Sequence, residues 1–152
     1  MRIWVDADAC PVVIKEILYR AAIRVGLELI LVANKLLKIP RAPLIRCVRV
    51  ASGFDAADRY IASAVEPGDL VITADVPLAA QVVASGGIAL NPRGELYTAD
   101  NVREHLARRD LMDELRGLGL VGGGPPPFDA ADTRAFASKL DTVLTRAQSG
   151  RS

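Results

Sequence analysis

The chain has 152 residues, 51% of them hydrophobic, with 19 Lys and Arg against 18 Asp and Glu and a formal net charge of +1. That length fits one domain able to bury roughly two-thirds of its unfolded surface. The even charge balance gives no global argument for a nucleic-acid tail or a membrane surface, so any attraction for phosphate has to be local. Cys10 and Cys47 are the only cysteines and stand outside any CxxC; they exclude a disulfide framework and a zinc knuckle and read as small buried hydrophobes.

In chain order, Arg2–Val5 is a short apolar strand ending in Asp6-Ala7-Asp8. The helical spacing of Val12, Val13, Ile17, Ala21 and Val25 follows, stopped by Gly26. Glu28–Ala33 is an unbroken β-branched and leucine run, as in a strand buried on both faces. Residues 34–44, with Pro40 and Pro43, read as a loop or short helix, and Ile45–Ala51 as a third strand. Ser52-Gly53-Phe54-Asp55 opens a helix running to about Val65, and Pro67-Gly68 turns the chain. Leu70–Thr73 is a fourth strand, Asp75-Val76-Pro77 starts a helix ending at Gly86-Gly87, and Ile88–Leu90 is a short fifth strand before the turn Asn91–Gly94.

The remainder is helical, over about 100–116 and 130–147, with a glycine-proline break at 122–127 that reads as a connector rather than a lid. Phe136, Leu140, Val143 and Leu144 form the stripe by which the last helix docks. Strands alternating with helices predict an α/β domain with a mostly parallel sheet of about five strands, covered on both faces. The domain is expected over 1–147, with a flexible tail at 148–152. No apolar stretch approaches the ~20 residues of a membrane span, and the start lacks a signal-like segment, so a reducing cytoplasm is expected.

Parallel α/β sheets bind ligands beyond the carboxyl ends of their strands, and this chain returns acids or amides to that edge repeatedly. Asp6 closes the first strand and Asp8 lies just past it. Asp55 and Asp58 follow the third strand, Asp75 the fourth and Asn91 the fifth. Each admits a plainer reading. Asp8 and Asp75 suit helix N-caps, and Asp55 with Asp58 a capping pair. Asp6, at the end of a central strand, is at no cap position. Carboxylates converging on one edge repel unless a cation joins them, and oxygen ligands without nearby His or Cys suit Mg²⁺ or Mn²⁺ over Zn²⁺. Asp69 begins the fourth strand, nearly 20 Å from Asp75 at ~3.3 Å per residue; it reads as a turn residue outside the site. His105, among Arg103, Glu104, Arg108, Arg109 and Asp110, reads as a surface residue.

No acid occurs between Glu28 and Asp55, where Lys35, Lys38, Arg41, Arg46 and Arg49 fall. Lys35, Lys38 and Arg41 lie in the loop after the second strand, on the edge that carries the acids. A basic flank beside an acidic metal cluster suits a phosphodiester, although an ordinary solvated loop has the same composition. Ser52, Asn91 and Arg93 are further substrate-binding candidates at this edge.

The segments Ile3-Trp4-Val5-Asp6-Ala7-Asp8-Ala9-Cys10-Pro11, Ala57-Asp58-Arg59-Tyr60-Ile61-Ala62, Leu70-Val71-Ile72-Thr73-Ala74-Asp75, Asn91-Pro92-Arg93-Gly94 and Gly123-Gly124-Pro125 closely resemble the YaiI/YqxD family of uncharacterised bacterial proteins, over nearly the whole chain. A wider similarity is to PIN-domain nucleases, matched by Asp6, by Asp58 in its Asp-x-x-Ile-Ala setting, and by Thr73 with Asp75. The resemblance implies a PIN-like three-layer α/β/α sandwich and Mg²⁺- or Mn²⁺-dependent cleavage of RNA or structured DNA, with Asp6, Asp58 and Asp75 holding metal and Asp8 a further ligand or the group orienting water. The chain departs from the PIN pattern in the closeness of Asp8 to Asp6. Two rivals stay open. One is a haloacid-dehalogenase-like phosphohydrolase with Asp6 as nucleophile and Asp8 as general acid. The other is a PIN-like module that binds RNA or a partner without cutting.

Overall fold

A computed structural model describes residues 1–53, 55–120, 122 and 126–149. Parts of the expected 122–127 connector, Phe54 and the tail at 150–152 lie outside that range. The elements run β1 (Arg2–Asp6), a single 3-10 turn (Ala7–Ala9), α1 (Val12–Val25), β2 (Glu28–Ala33), β3 (Ile45–Arg49), α2 (Ala56–Ala64), β4 (Leu70–Ile72), α3 (Val76–Ala84), β5 (Ile88–Leu90), β6 (Leu96–Tyr97), α4 (Asn101–Gly117) and α5 (Ala130–Ser149). α1 ends where Gly26 adopts φ 73°, a left-handed conformation that suits glycine, and returns its N–H to the Ala22 carbonyl.

One six-stranded sheet has the order β3-β2-β1-β4-β5-β6. The first five strands are parallel and β6 is antiparallel to β5. β6, only two residues long, is an addition to the five strands expected, and β3 stops two residues short of Ala51. The segment 34–44 is a loop without helix.

Alternation along the strands divides the core. Ile3, Val5, Leu29, Leu31, Leu70 and Ile72 pack against Ile14 and Leu18 of α1 and the Phe136, Leu140, Val143 and Leu144 stripe of α5. Trp4, Ile30, Val32, Val71 and Ala89 face Ile61 of α2, Leu78, Ala79 and Val82 of α3, and Val102 of α4. The result is the three-layer α/β/α arrangement expected, with α5 docked by its four-residue stripe. Among the described residues no helix is long and apolar enough to cross a membrane.

The β5–β6 turn is held against α5. Gly94 has φ 89°, and a Cβ there would stand 2.5 Å from the Ala135 carbonyl carbon. Only glycine suits both constraints. Gly94→Ala is expected to lower stability by about 2–3 kcal/mol through left-handed strain and overpacking, read as a shifted urea midpoint; an unchanged midpoint would show that α5 yields freely.

Candidate functional site

The strand order reverses between β1 and β4: β2 and β3 extend the sheet to one side of β1, and the chain then returns to build β4 to β6 on the other. A crevice opens at the carboxyl ends of strands at such a switch point. Asp6 ends β1, and Thr73 and Asp75 follow β4. α2 crosses from β3 back over β2 and β1, and so brings Asp55 and Asp58, at its start, above the end of β1.

Thr73, 1% exposed, ties two of these acids together. Its hydroxyl donates to Asp6 Oδ2 at 3.2 Å and accepts from the Asp75 N–H at 3.0 Å. Asp75 caps α3 by accepting from the Leu78 N–H at 2.8 Å through Oδ1. The cap engages Oδ1 alone, and the same carboxylate also stands beside Asp58.

Asp55, read as the N-cap of its helix, adopts φ 60° and makes no capping bond. Its side chain instead faces the other acids, and ligand oxygens of Asp55, Asp58 and Asp75 all lie within 4.8 Å of one another. Sequence reasoning alone does not place Asp55 in the site. Its position after the third strand, three residues before Asp58, brings it to the same edge but points equally well to a cap.

Asp58 is pushed up to about 7, by burial first, then by the Asp75 charge and a hydrogen bond to Asp75 that requires a proton, with Asp6 and Asp55 adding repulsion. Asp6 is also raised, chiefly by burial; the Thr73 hydrogen bond works against that, and Asp75 and Asp8 reinforce it. Among the described residues this edge therefore holds more negative charge than its own groups neutralise. A hard divalent cation fits that donor set.

Asp8 is neither an N-cap, since Pro11 stands at that position of α1, nor part of the tight triad. It is exposed, and its Oδ2 accepts from the Asn34 N–H at 2.8 Å. Two hollows meet over Asp55 and Asp58. One, about 200 Å³, is also lined by Asp6, Asp8 and Asn34. The other, about 350 Å³, is also lined by Asp75, Arg59, Gln81 and Arg109. Neither arginine stands out in the sequence.

Lys35, Lys38 and Arg41 are exposed in the loop that starts beside Asn34, and Ser52 is exposed in the bend before α2. Asn91 and Arg93 are committed elsewhere. Asn91 Oδ1 accepts from the backbone N–H groups of Arg93 and Glu95, at 2.8 and 3.2 Å. The Arg93 guanidinium bonds Asp132 of α5 at 2.8 Å, reaches the Pro126 carbonyl and lies over the Phe128 ring. Asn91 holds the β5–β6 turn, and Arg93 ties that turn to the start of α5. His105 is not a free surface residue: it meets Glu95 at 2.8 Å and the Tyr97 ring edge-on. Asp69, read as a turn residue, is 4% exposed and accepts from three N–H groups.

Comparison with known proteins gives the chain its place. The family model described as "Uncharacterized BCR, YaiI/YqxD family" matches residues 4–146. A "UPF0178 protein" of Syntrophotalea carbinolica is 60% identical over 146 residues, covering 96% of this chain and 99% of its own. Similar proteins of a Shewanella species and of Bordetella avium are 61% and 58% identical, over 95% and 96% of this chain and 97% and 95% of theirs. No solved structure matches. With a family match over nearly its full length and relatives at such identity, the chain belongs to the YaiI/YqxD family.

Proposed function

We propose that the chain is a Mg²⁺- or Mn²⁺-dependent nuclease that hydrolyses phosphodiesters of RNA in the cytoplasm. The observation that carries this reading is the meeting of Asp55, Asp58 and Asp75, with oxygens within 4.8 Å, at the point where the strand order reverses. The motif resemblance to PIN-domain nucleases through Asp6, Asp58, Thr73 and Asp75 supports it.

Asp55, Asp58 and Asp75 would hold the ion. When bound, it supplies Lewis acidity, lowering the pKa of water and offsetting charge on the phosphoryl oxygens. Asp6, fixed by Thr73, orients water from the β1 side. Asp8, anchored on the Asn34 N–H, adds negative potential farther out. Lys35, Lys38 and Arg41 hold backbone phosphates of the strand. No side chain needs to form a covalent bond.

The test uses a 5′-labelled single-stranded RNA with Mn²⁺, with Mg²⁺ and with EDTA, comparing wild type and Asp75→Asn. Asparagine is as good an N-cap as aspartate, so the variant keeps the α3 cap while losing the charge. Expected is metal-dependent cleavage, slowed about 100-fold in the variant. Equal cleavage by both proteins would point to a contaminant, and tight RNA binding by wild type with no turnover would leave a binding module instead.

A further inference from the structure

We infer that Arg59 of α2 and Arg109 of α4 hold a phosphate of the substrate on the α3–α4 side of the carboxylates, opposite Lys35, Lys38 and Arg41. This rests on the nuclease reading and extends it from one cationic flank to two.

The larger hollow, about 350 Å³, is lined by Asp55, Asp58 and Asp75 together with Arg59, Arg109 and Gln81. Arg59 lies one helical turn after Asp55, a spacing at which acid and base commonly pair. Yet among the described residues it forms no ion pair within 4.0 Å, and it is exposed. Arg109 touches Asp110 and Asp113 only loosely, at 3.5 and 4.0 Å, on an exposed helix face; such pairs contribute little. Both guanidinium groups are thus available to an incoming anion.

An anionic strand needs cationic donors to enter this hollow. The carboxylates repel a phosphate, so a strand approaching a metal among them needs compensating donors on both sides of the scissile bond. Guanidinium groups supply these in paired, planar form. The smaller hollow, continuing past Asp6 and Asp8 to Asn34, leads toward Lys35. The strand therefore crosses the acids, with phosphates engaged at both ends.

The test measures kcat and KM for a labelled single-stranded RNA with Mn²⁺, and RNA binding by anisotropy in EDTA at several NaCl concentrations. It compares wild type, Arg59→Gln, Arg109→Gln and the double variant. Expected is a KM about 5–10-fold higher for each single variant, with kcat within about twofold. The slope of log affinity against log salt should flatten by about 0.7 for each phosphate no longer engaged, and Arg59→Lys should recover part of the affinity, as a point charge without the paired donors. If the arginines merely neutralise the acids, the variants will show a lower melting temperature without Mn²⁺ and an unchanged KM, which overturns the inference. Normal wild-type cleavage with unaltered KM and salt slope overturns it while leaving the nuclease standing. Failure of wild type to bind or cleave RNA removes the nuclease reading and this inference together.

Discussion

Asp69→Ala is expected to lower the stability of the protein by about 3–5 kcal/mol, the largest loss of any single carboxylate removal. Asp69 Oδ1 accepts from the Arg2 N–H at 2.9 Å, and Oδ2 accepts from Trp4 Nε1 at 3.1 Å and the Glu66 N–H at 3.0 Å. The Arg2 guanidinium stands 3.7 Å away and also lies over the Trp4 ring. The carboxylate thus closes the β1–β4 pair at its amino end and fixes the largest buried side chain of the α2–α3 face. Alanine would orphan three donors around a nearly dry site, each worth about 1–3 kcal/mol, with some recovery by relaxation. The equivalent fall in melting temperature is roughly 10 °C or more for a chain of this size. Asp69→Asn should also destabilise, because its amide N–H₂ faces groups that are themselves donors. An unfolding free energy from urea titration within about 1 kcal/mol of wild type for both variants would show that the donors find water instead.

The opposite edge of the sheet presents a contrast. Asp69 has three N–H donors and a guanidinium. Asp58, beyond the carboxyl end, has no donor to lower it and three neighbouring acids to raise it. Asp69 is placed where several donors converge on one carboxylate, and Asp58 where other carboxylates crowd it. Chain position predicts this division, since Asp69 precedes β4 at one edge while the residues after the parallel strands β3 and β4 reach the other.

Elements with their own periodicity are legible in sequence: the buried run of β2, the α5 stripe, and Asp6 and Asp75 at strand ends. What is hidden there depends on partners distant in the chain or on backbone conformations that composition does not reveal. β6 has two residues and pairs through Ala89 and Leu90, too short to show alternation. Asp55 reads as a cap until φ 60° turns it away. Arg93 looks like a free cation beside the site until Asp132, 39 residues on, claims it. Arg59 and Arg109 belong to separate helices, and only the packing of α2, α3 and α4 on one sheet face puts them around one hollow.

The acid cluster should make the metal-free protein less stable as pH rises, and a divalent ion should reverse this. Asp58 titrates near 3.8 when unfolded and is held up to about 7 in the fold. Between those values the folded state binds the extra proton, so stability falls with increasing pH across the window from about 4 to 7 and then levels. Because Asp58 is partly solvated, the contribution is about 1–2 kcal/mol rather than the full electrostatic difference. In EDTA, the stability of wild type relative to Asp58→Asn should therefore drop by a little over half of that amount between pH 5 and pH 7.5. At pH 7.5, Mn²⁺ at about 100 times its dissociation constant should add about 2.7 kcal/mol to wild type, a rise of about 5–10 °C in melting temperature. It should leave Asp75→Asn, which keeps its cap, nearly unmoved. The two slopes are tied by one cause: the repulsion that raises Asp58 is what the cation relieves, so the metal effect should shrink toward pH 5 as the carboxyl takes up its proton. Equal Mn²⁺ stabilisation of wild type and Asp75→Asn, or a wild-type response independent of pH, would place the ion away from these carboxylates.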